Sequence, residues 1–161
     1  MPKKVVATKK KTSDRIDCLW GLVCSLSSID LQRNNISLFN VIDQLSIPKL
    51  GIKDIGKVKI EVSLEHEVVF TWRRLLNRNL CTNQVIADVK LSSIDPDGNK
   101  MGEVITQLRF APGERLMRFR VQTNSLKITK EGDYIYRAEI IQPGMDTFEH
   151  VMDIPYNVQF V

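Results

Sequence analysis

The sequence lacks a long hydrophobic run. Its longest uncharged apolar stretch, Cys18 to Ile29, is interrupted by Gly21 and several serines. It is too short for a membrane-spanning helix, which needs about 20 residues. Near the N-terminus, lysines flank only the short apolar segment Val5 to Ala7, so no secretory signal pattern is present. These absences predict a cytoplasmic protein that does not enter a membrane.

Cysteine and histidine are both scarce, with three and two residues among 161. Cys18 and Cys24 would be about 20 Å apart on one strand, whereas a disulfide needs Cα atoms within about 7 Å. His66 and His150 lie in phase with apolar neighbours, which predicts that both point inward or lie at a sheet rim. Neither shares a local ligand spacing with Cys81, so we predict no metal site and no cofactor.

Motifs for covalent catalysis or phosphate binding are incomplete. Ser46 and Lys49 form an S-x-x-K pattern, but Pro48 opposes the helical turn that would bring the two side chains together. The segment "GIKDIGK" matches a phosphate loop, yet Val58 stands where a hydroxyl residue is needed and a strand follows instead of a helix. G-x-S-x-G and G-x-G-x-x-G do not occur. The sequence therefore predicts a protein that is not an enzyme.

The net charge of +4 comes from one end of the chain. The first twelve residues hold five lysines and no acid, which leaves 18 basic residues against 19 acidic ones elsewhere. A basic arm of this kind attracts phosphates or other anions weakly and without sequence preference. We predict a flexible Lys-rich arm over residues 1–14 and a single domain over residues 15–161.

Alternation of apolar and polar residues is abundant along the chain. In "GKVKIEVSLEHEVVFTW", residues Val58 to Trp72 alternate strictly enough to predict a half-buried strand, bent near His66. Turn signals recur about every ten residues, as in "DPDGN", "APGE", "EGD" and "QPG". This pattern predicts an antiparallel β-sandwich, Ig-like or C2-like, of about eight strands. At most one short helix is expected, with Trp72 to Asn79 as the candidate.

The stretch "NNISLFNVIDQL" fits two secondary structures. Leu38, Val41, Ile42 and Leu45 recur at helical spacing, but most of the residues favour strands. The strands on either side decide the choice, and we predict a hairpin whose second arm is Ile36 to Leu45. A bulge in that arm would allow both Leu38 and Phe39 to be buried.

Three smaller features concern the second half of the chain. Pro155 cannot donate to a ladder, so Ile154 to Phe160 is predicted to continue the last strand at a sheet edge. Tyr134 follows Leu126 and Ile128 at the spacing of a tyrosine corner, although an ordinary inward tyrosine fits equally well. Asp95, Asp97 and Asn99 alternate as oxygen donors, but their spacing does not match an EF-hand and turn chemistry explains them.

The order of several motifs resembles a known family. From Ile16 to Val158, the segments "NNISLFNVIDQL", "DPDG" and "GDYIY" are similar to those of an uncharacterised prokaryotic family of small β-sandwich proteins, a domain of unknown function. The resemblance implies a β-sandwich with no established activity. It supplies no catalytic residues.

Two functions remain open at this point. Exposed edges of a sandwich recruit partners by strand addition, so we predict a non-catalytic module for protein interaction or scaffolding, with self-association or a protein partner. The alternative is a module that binds anions or nucleic acid. Its candidate residues are basic and lie on the arm or on the outward phases of two strands that would pair: Lys9, Lys10, Lys11, Arg109, Arg118 and Arg120.

Overall fold

A computed structural model describes residues 14–30, 32–33, 35–49, 59–76 and 81–161. Within these ranges the chain forms two β-sheets and no helix, so no helix there could cross a membrane. The strands are β1 Ile16–Asp30, β2 Asn35–Val41, β3 Gln44–Ile47, β4 Ile60–Arg74, β5 Val85–Ile94, β6 Lys100–Phe110, β7 Leu116–Ile128, β8 Gly132–Ile140 and β9 Glu149–Phe160. The all-β prediction is confirmed. The predicted arm lies outside the described residues, apart from Asp14.

The strands divide into a four-stranded sheet in the order β2-β1-β4-β7 and a five-stranded sheet in the order β3-β9-β8-β5-β6. All pairings are antiparallel except that of β3 with β9. Side chains from both sheets contribute to one hydrophobic core, among them Phe70 and Trp72 from the first and Leu108 and Phe110 from the second. The apolar residues of the alternating strands therefore form one interior that both sheets share.

The predicted strand Ile36 to Leu45 is in fact two strands that belong to different sheets. β2 pairs with β1, whereas β3 pairs in parallel with β9. Asn40 has a φ of 50°, a left-handed conformation that asparagine tolerates better than most residues, and the chain leaves the first sheet just after it. The predicted bulge is absent, because the register of β2 against β1 shows no shift. This crossing makes the number of strands among the described residues nine and not eight.

β9 is one continuous strand, and the predicted edge is only partly correct. β3 pairs with β9 from Asn157 to Phe160. Pro155 lies just before that paired part, where β9 has only β8 beside it. At Pro155 no described strand pairs with the other side of β9. The missing N–H of the proline therefore costs no hydrogen bond on that side.

The predicted turns join the strands through local hydrogen bonds. In "DPDGN", the Asp95 carboxylate accepts hydrogen bonds from the backbone nitrogens of Asp97, at 3.0 Å, and Asn99, at 2.8 Å. Gly98 takes a φ of 84°, as the turn requires. Burial opposes ionisation of Asp95, but the bonds from Asn99 and Asp97 outweigh it and lower the pKa of its carboxyl. Turn chemistry thus accounts for these acids.

Tyr134 forms the tyrosine corner. Its side chain is fully buried, and its hydroxyl donates to the Lys130 carbonyl oxygen at 2.8 Å and accepts from the Thr129 backbone nitrogen at 2.9 Å. These residues lie on the connection that carries the chain from β7 in one sheet to β8 in the other. These hydrogen bonds therefore fix the conformation of the connection between the two sheets.

The two histidines have different environments. β4 shifts register between Ser63 and His66, which confirms the predicted bend, and His66 is buried at 2% exposure. Of the two orientations predicted for His150, the inward one does not occur: its side chain is 56% exposed and its Nε2 lies 3.1 Å from Asp153. A register shift of β9 against Ala138 and Glu139 breaks the alternation that placed His150 in phase with the core.

We expect the stability of the protein to fall in mild acid because of His66. Burial lowers the pKa of its imidazole below the ordinary 6.5, despite a hydrogen bond to the Leu64 carbonyl that acts in the opposite direction. The unfolded chain therefore takes up a proton at higher pH than the folded chain does. The free energy of unfolding should decrease as the pH falls below 6.5 and level off below the lowered pKa.

Urea unfolding between pH 8 and pH 5 measures this effect. The His66→Gln variant should lose most of the pH dependence in that window, whereas His150→Gln, at an exposed position, should keep it. An equal slope in the wild type and in His66→Gln would contradict the assignment.

Candidate interaction surface

Four strands lie at sheet edges, and one of them is unprotected. Natural edge strands carry charges, proline or bulges, or are very short, because these features prevent pairing with another chain. β3 is only four residues long, while β6 and β7 each carry charged side chains. β2 has seven residues, "NISLFNV", with no charge, no proline and no register shift. No described strand pairs with its outer edge.

An apolar row lies beside this edge. Leu26 of β1 is directly opposite Phe39 of β2, and Cys24 is opposite Val41. Residues two apart on a strand share a face, so all four lie on the same side of the sheet. Leu26 is 55% exposed, Phe39 49% and Val41 56%. We call Leu26, Phe39, Val41 and the open edge of β2 the β2 surface.

Polar groups limit the β2 surface on its inner side. Glu67 of β4 is opposite Cys24 and is almost fully buried. It accepts a hydrogen bond from the Ser27 hydroxyl, and one of its oxygens lies 3.5 Å from Arg120 of β7. Burial raises the pKa of the Cys24 thiol, and the nearby Glu67 adds to the shift. The thiol therefore stays protonated at neutral pH.

The predicted anion-binding arginines do not share a sheet. Arg109 lies on β6 of the five-stranded sheet, where it donates to Gln107 at 2.8 Å, while Arg118 and Arg120 lie on β7 of the four-stranded sheet. The strands expected to pair are successive but separate, because the "APGE" turn carries the chain between the sheets. Arg120 already contacts Glu67 and donates to the Ser27 carbonyl at 3.2 Å. Lys9, Lys10 and Lys11 lie outside the described residues.

Metal ligands are not gathered elsewhere in the described ranges, and the Cys18 thiol lacks the properties of a nucleophile. No cluster of three or more His, Cys, Asp or Glu residues there could hold a metal ion. Burial raises the pKa of the Cys18 thiol to about 12, against a smaller opposing effect of its bond to the Trp20 carbonyl. Such a thiol is a poor nucleophile, because the thiolate is the reactive form.

Sequence reasoning missed the β2 surface. It placed Phe39 under cover beside a bulge, whereas the side chain is half exposed. The available signal was the run of seven residues without a charge, Asn35–Val41. That run predicts an interaction only once the strand is known to lie at an edge.

No protein-family model matches this chain, and no curated protein matches it either. The resemblance drawn from "NNISLFNVIDQL", "DPDG" and "GDYIY" stays a prediction.

Proposed function

We propose that this chain is a non-catalytic β-sandwich module that associates with a second copy of itself through the β2 surface. The core shared by the two sheets supports the sandwich arrangement. The observation that carries the interaction is the uncharged, open β2 edge with its exposed apolar row. Antiparallel addition of a strand at such an edge is a common mode of protein association.

The absence of charge on β2 favours a second copy as the occupant. A two-fold interface uses the same patch on both subunits, so residues near the axis meet their own equivalents. Like charges directly opposite each other on paired strands are destabilising. β6 carries Lys100, Glu103 and Arg109, and β7 carries Arg118, Arg120 and Lys127, whereas β2 carries no charge to repel its own copy.

A two-fold axis at Phe39 would use the apolar row efficiently. Antiparallel pairing of β2 with its copy would place the two Phe39 rings side by side. Each ring already lies opposite Leu26 of its own chain, so the row would continue from one chain into the other. Aromatic and aliphatic cross-strand neighbours of this kind stabilise sheets. The two four-stranded sheets would then form one continuous sheet.

Sedimentation and light scattering over a concentration series test this proposal. The wild type should form a dimer, and Phe39→Lys should raise the dissociation constant at least tenfold. The reason is that each copy loses an apolar contact, worth about 1.5 kcal/mol or more when buried, and gains a repelling charge.

Ile105→Lys is the matched control. Ile105 is 56% exposed on β6, at the far edge of the other sheet. This variant should dimerise like the wild type. A wild type that stays monomeric at every concentration would refute the proposal, and so would a dimer that Ile105→Lys weakens as much as Phe39→Lys does.

A further inference from the structure

The interior of the protein is open on the side opposite β2. β6 and β7 are joined by a short turn, and away from that turn they border a cleft of about 190 Å³ between the two sheets. Val104 of β6 shows that the cleft reaches the core layer. It lies directly opposite Leu91, a core residue, so it faces inward, and yet it is 41% exposed. The sheets do not close over this side chain.

The cleft combines apolar walls with a floor of hydroxyl groups. Its walls are formed by aliphatic and thioether side chains, namely Leu91, Met101, Val104, Val121 and Leu126. Its hydroxyls belong to Ser93, Thr123, Ser125 and Tyr136. The charged residues of the lining, Glu103 and Lys127, have opposite signs. A ligand of this cleft therefore has no reason to carry a net charge, and it gains from a largely apolar body.

His66 determines whether the nearby hydroxyl groups can donate or only accept hydrogen bonds. Its Nδ1 lies 2.9 Å from the Leu64 carbonyl oxygen, which can only accept, so Nδ1 carries the proton and Nε2 of the neutral ring is an acceptor. The Tyr136 hydroxyl is 2.7 Å and the Thr123 hydroxyl 2.8 Å from Nε2. The Tyr136 hydroxyl is also hydrogen-bonded to Thr123 and to Tyr156. Nε2 takes the proton of one of the two hydroxyls beside it, and the bond between Tyr136 and Thr123 takes the other. The Thr123 oxygen therefore keeps a lone pair for a ligand but no proton.

The Ser125 hydroxyl points away from the cleft. Ser125 is adjacent to the core residue Leu126, and its hydroxyl donates to a Glu61 carboxylate oxygen at 2.6 Å on the exposed face of the sheet. The hydrogen bonding of a ligand therefore depends on Thr123 and Tyr136. A ligand group that can only accept hydrogen bonds would face an oxygen lone pair and find no donor. A ligand group that donates would form a hydrogen bond with that oxygen.

We propose that this cleft binds a small, neutral, mainly apolar molecule that carries a hydrogen-bond donor, with indole and simple phenols as examples of the class. The size is adequate, because an engineered apolar cavity of about 150 Å³ accommodates benzene. The donor would reach the Thr123 oxygen, and the ring would contact Val104, Val121 and Leu126. β7 and β2 are at opposite edges of their sheet, so this site is separate from the β2 surface.

Calorimetric titration of the full chain with indole tests the proposal. The matched probe is 1-benzothiophene, which has nearly the same shape but no N–H group. Indole should bind with one-to-one stoichiometry and about tenfold more tightly than benzothiophene, since only indole satisfies the acceptors of the floor. Thr123→Val, which removes the Thr123 oxygen, should bring the two affinities close together.

Two substitutions on adjacent residues locate the site. Val104→Trp places a large side chain in the cleft and should abolish indole binding, whereas Ile105→Trp projects from the opposite face of β6 and should leave it unchanged. Methyl resonances of wild-type Leu91, Val121 and Leu126 should shift on addition of indole, which does not depend on how any variant folds. Absence of binding, equal affinity for both probes, or unshifted methyl resonances would each overturn the proposal.

Discussion

Replacing Asp14 with alanine should lower the free energy of unfolding by about 3 kcal/mol, because it leaves a buried charge without its partner. The Arg74 side chain has no exposed surface. Its Nη2 donates to an Asp14 oxygen at 2.8 Å, and its Nη1 donates to the Asn83 carbonyl oxygen at 3.0 Å. Without Asp14 the guanidinium loses its only carboxylate partner among the described residues.

Urea denaturation measures this loss, and the adjacent pair provides a matched control. Arg73 lies 3.7 Å from Asp17, and both side chains are more than a third exposed. Solvent screens such pairs, so Asp17→Ala should cost less than about 1 kcal/mol. In the Arg74→Met background, Asp14→Ala should have little further effect, since the buried charge is already gone. Equal costs for Asp14→Ala and Asp17→Ala would contradict this account of the buried pair.

Gly21→Val should destabilise the protein by about 3 kcal/mol, through overpacking where the sheets approach each other. A Cβ atom at Gly21 would lie 2.7 Å from Cδ1 of Ile154 and 2.8 Å from a ring carbon of Phe70. Ile154 belongs to β9 of the five-stranded sheet, and Phe70 lies opposite Gly21 on β4. The tip of Ile154 can rotate away, but the Phe70 ring is fully buried and has little room to move.

Thermal and urea unfolding of paired variants check this prediction. Ile154→Ala should recover part of the cost of Gly21→Val when the two are combined, since it removes one of the clashing groups. Gly102→Val is the control, because a Cβ atom there would meet nothing within 4 Å. If Gly21→Val were as stable as Gly102→Val, the sheets would not be in close contact at this glycine.

Much of the fold follows from local patterns in the sequence. Alternation identified β4, β5, β6 and β8, and glycine-containing turns marked their ends, because both signals depend on neighbouring residues only. The bend at His66 was predicted for the same reason, and the tyrosine corner at Tyr134 was one of two interpretations left open. The sheet to which each strand belongs was not predictable in this way. β3 and β7 leave their sequence neighbours and pair with distant strands, and that choice depends on packing across the whole chain.

The candidate sites were less accessible to sequence analysis. The hydroxyls of the cleft come from β5, β7 and β8, and their commitment as acceptors depends on His66 of β4. No spacing in the sequence records that arrangement. The expected pairing of the two arginine-bearing strands was wrong for the converse reason: Arg109 and Arg120 alternate correctly along their strands, but the turn between them changes sheets.

The parallel pairing of β3 with β9 has a consequence for synthesis of the chain. Among the described strands, the partner of β3 is β9, which is made about 100 residues later. The five-stranded sheet therefore cannot be completed until β9 has been made, and long-range pairing of this kind forms slowly. Before that point the unpaired strand edges are exposed, and such edges favour aggregation.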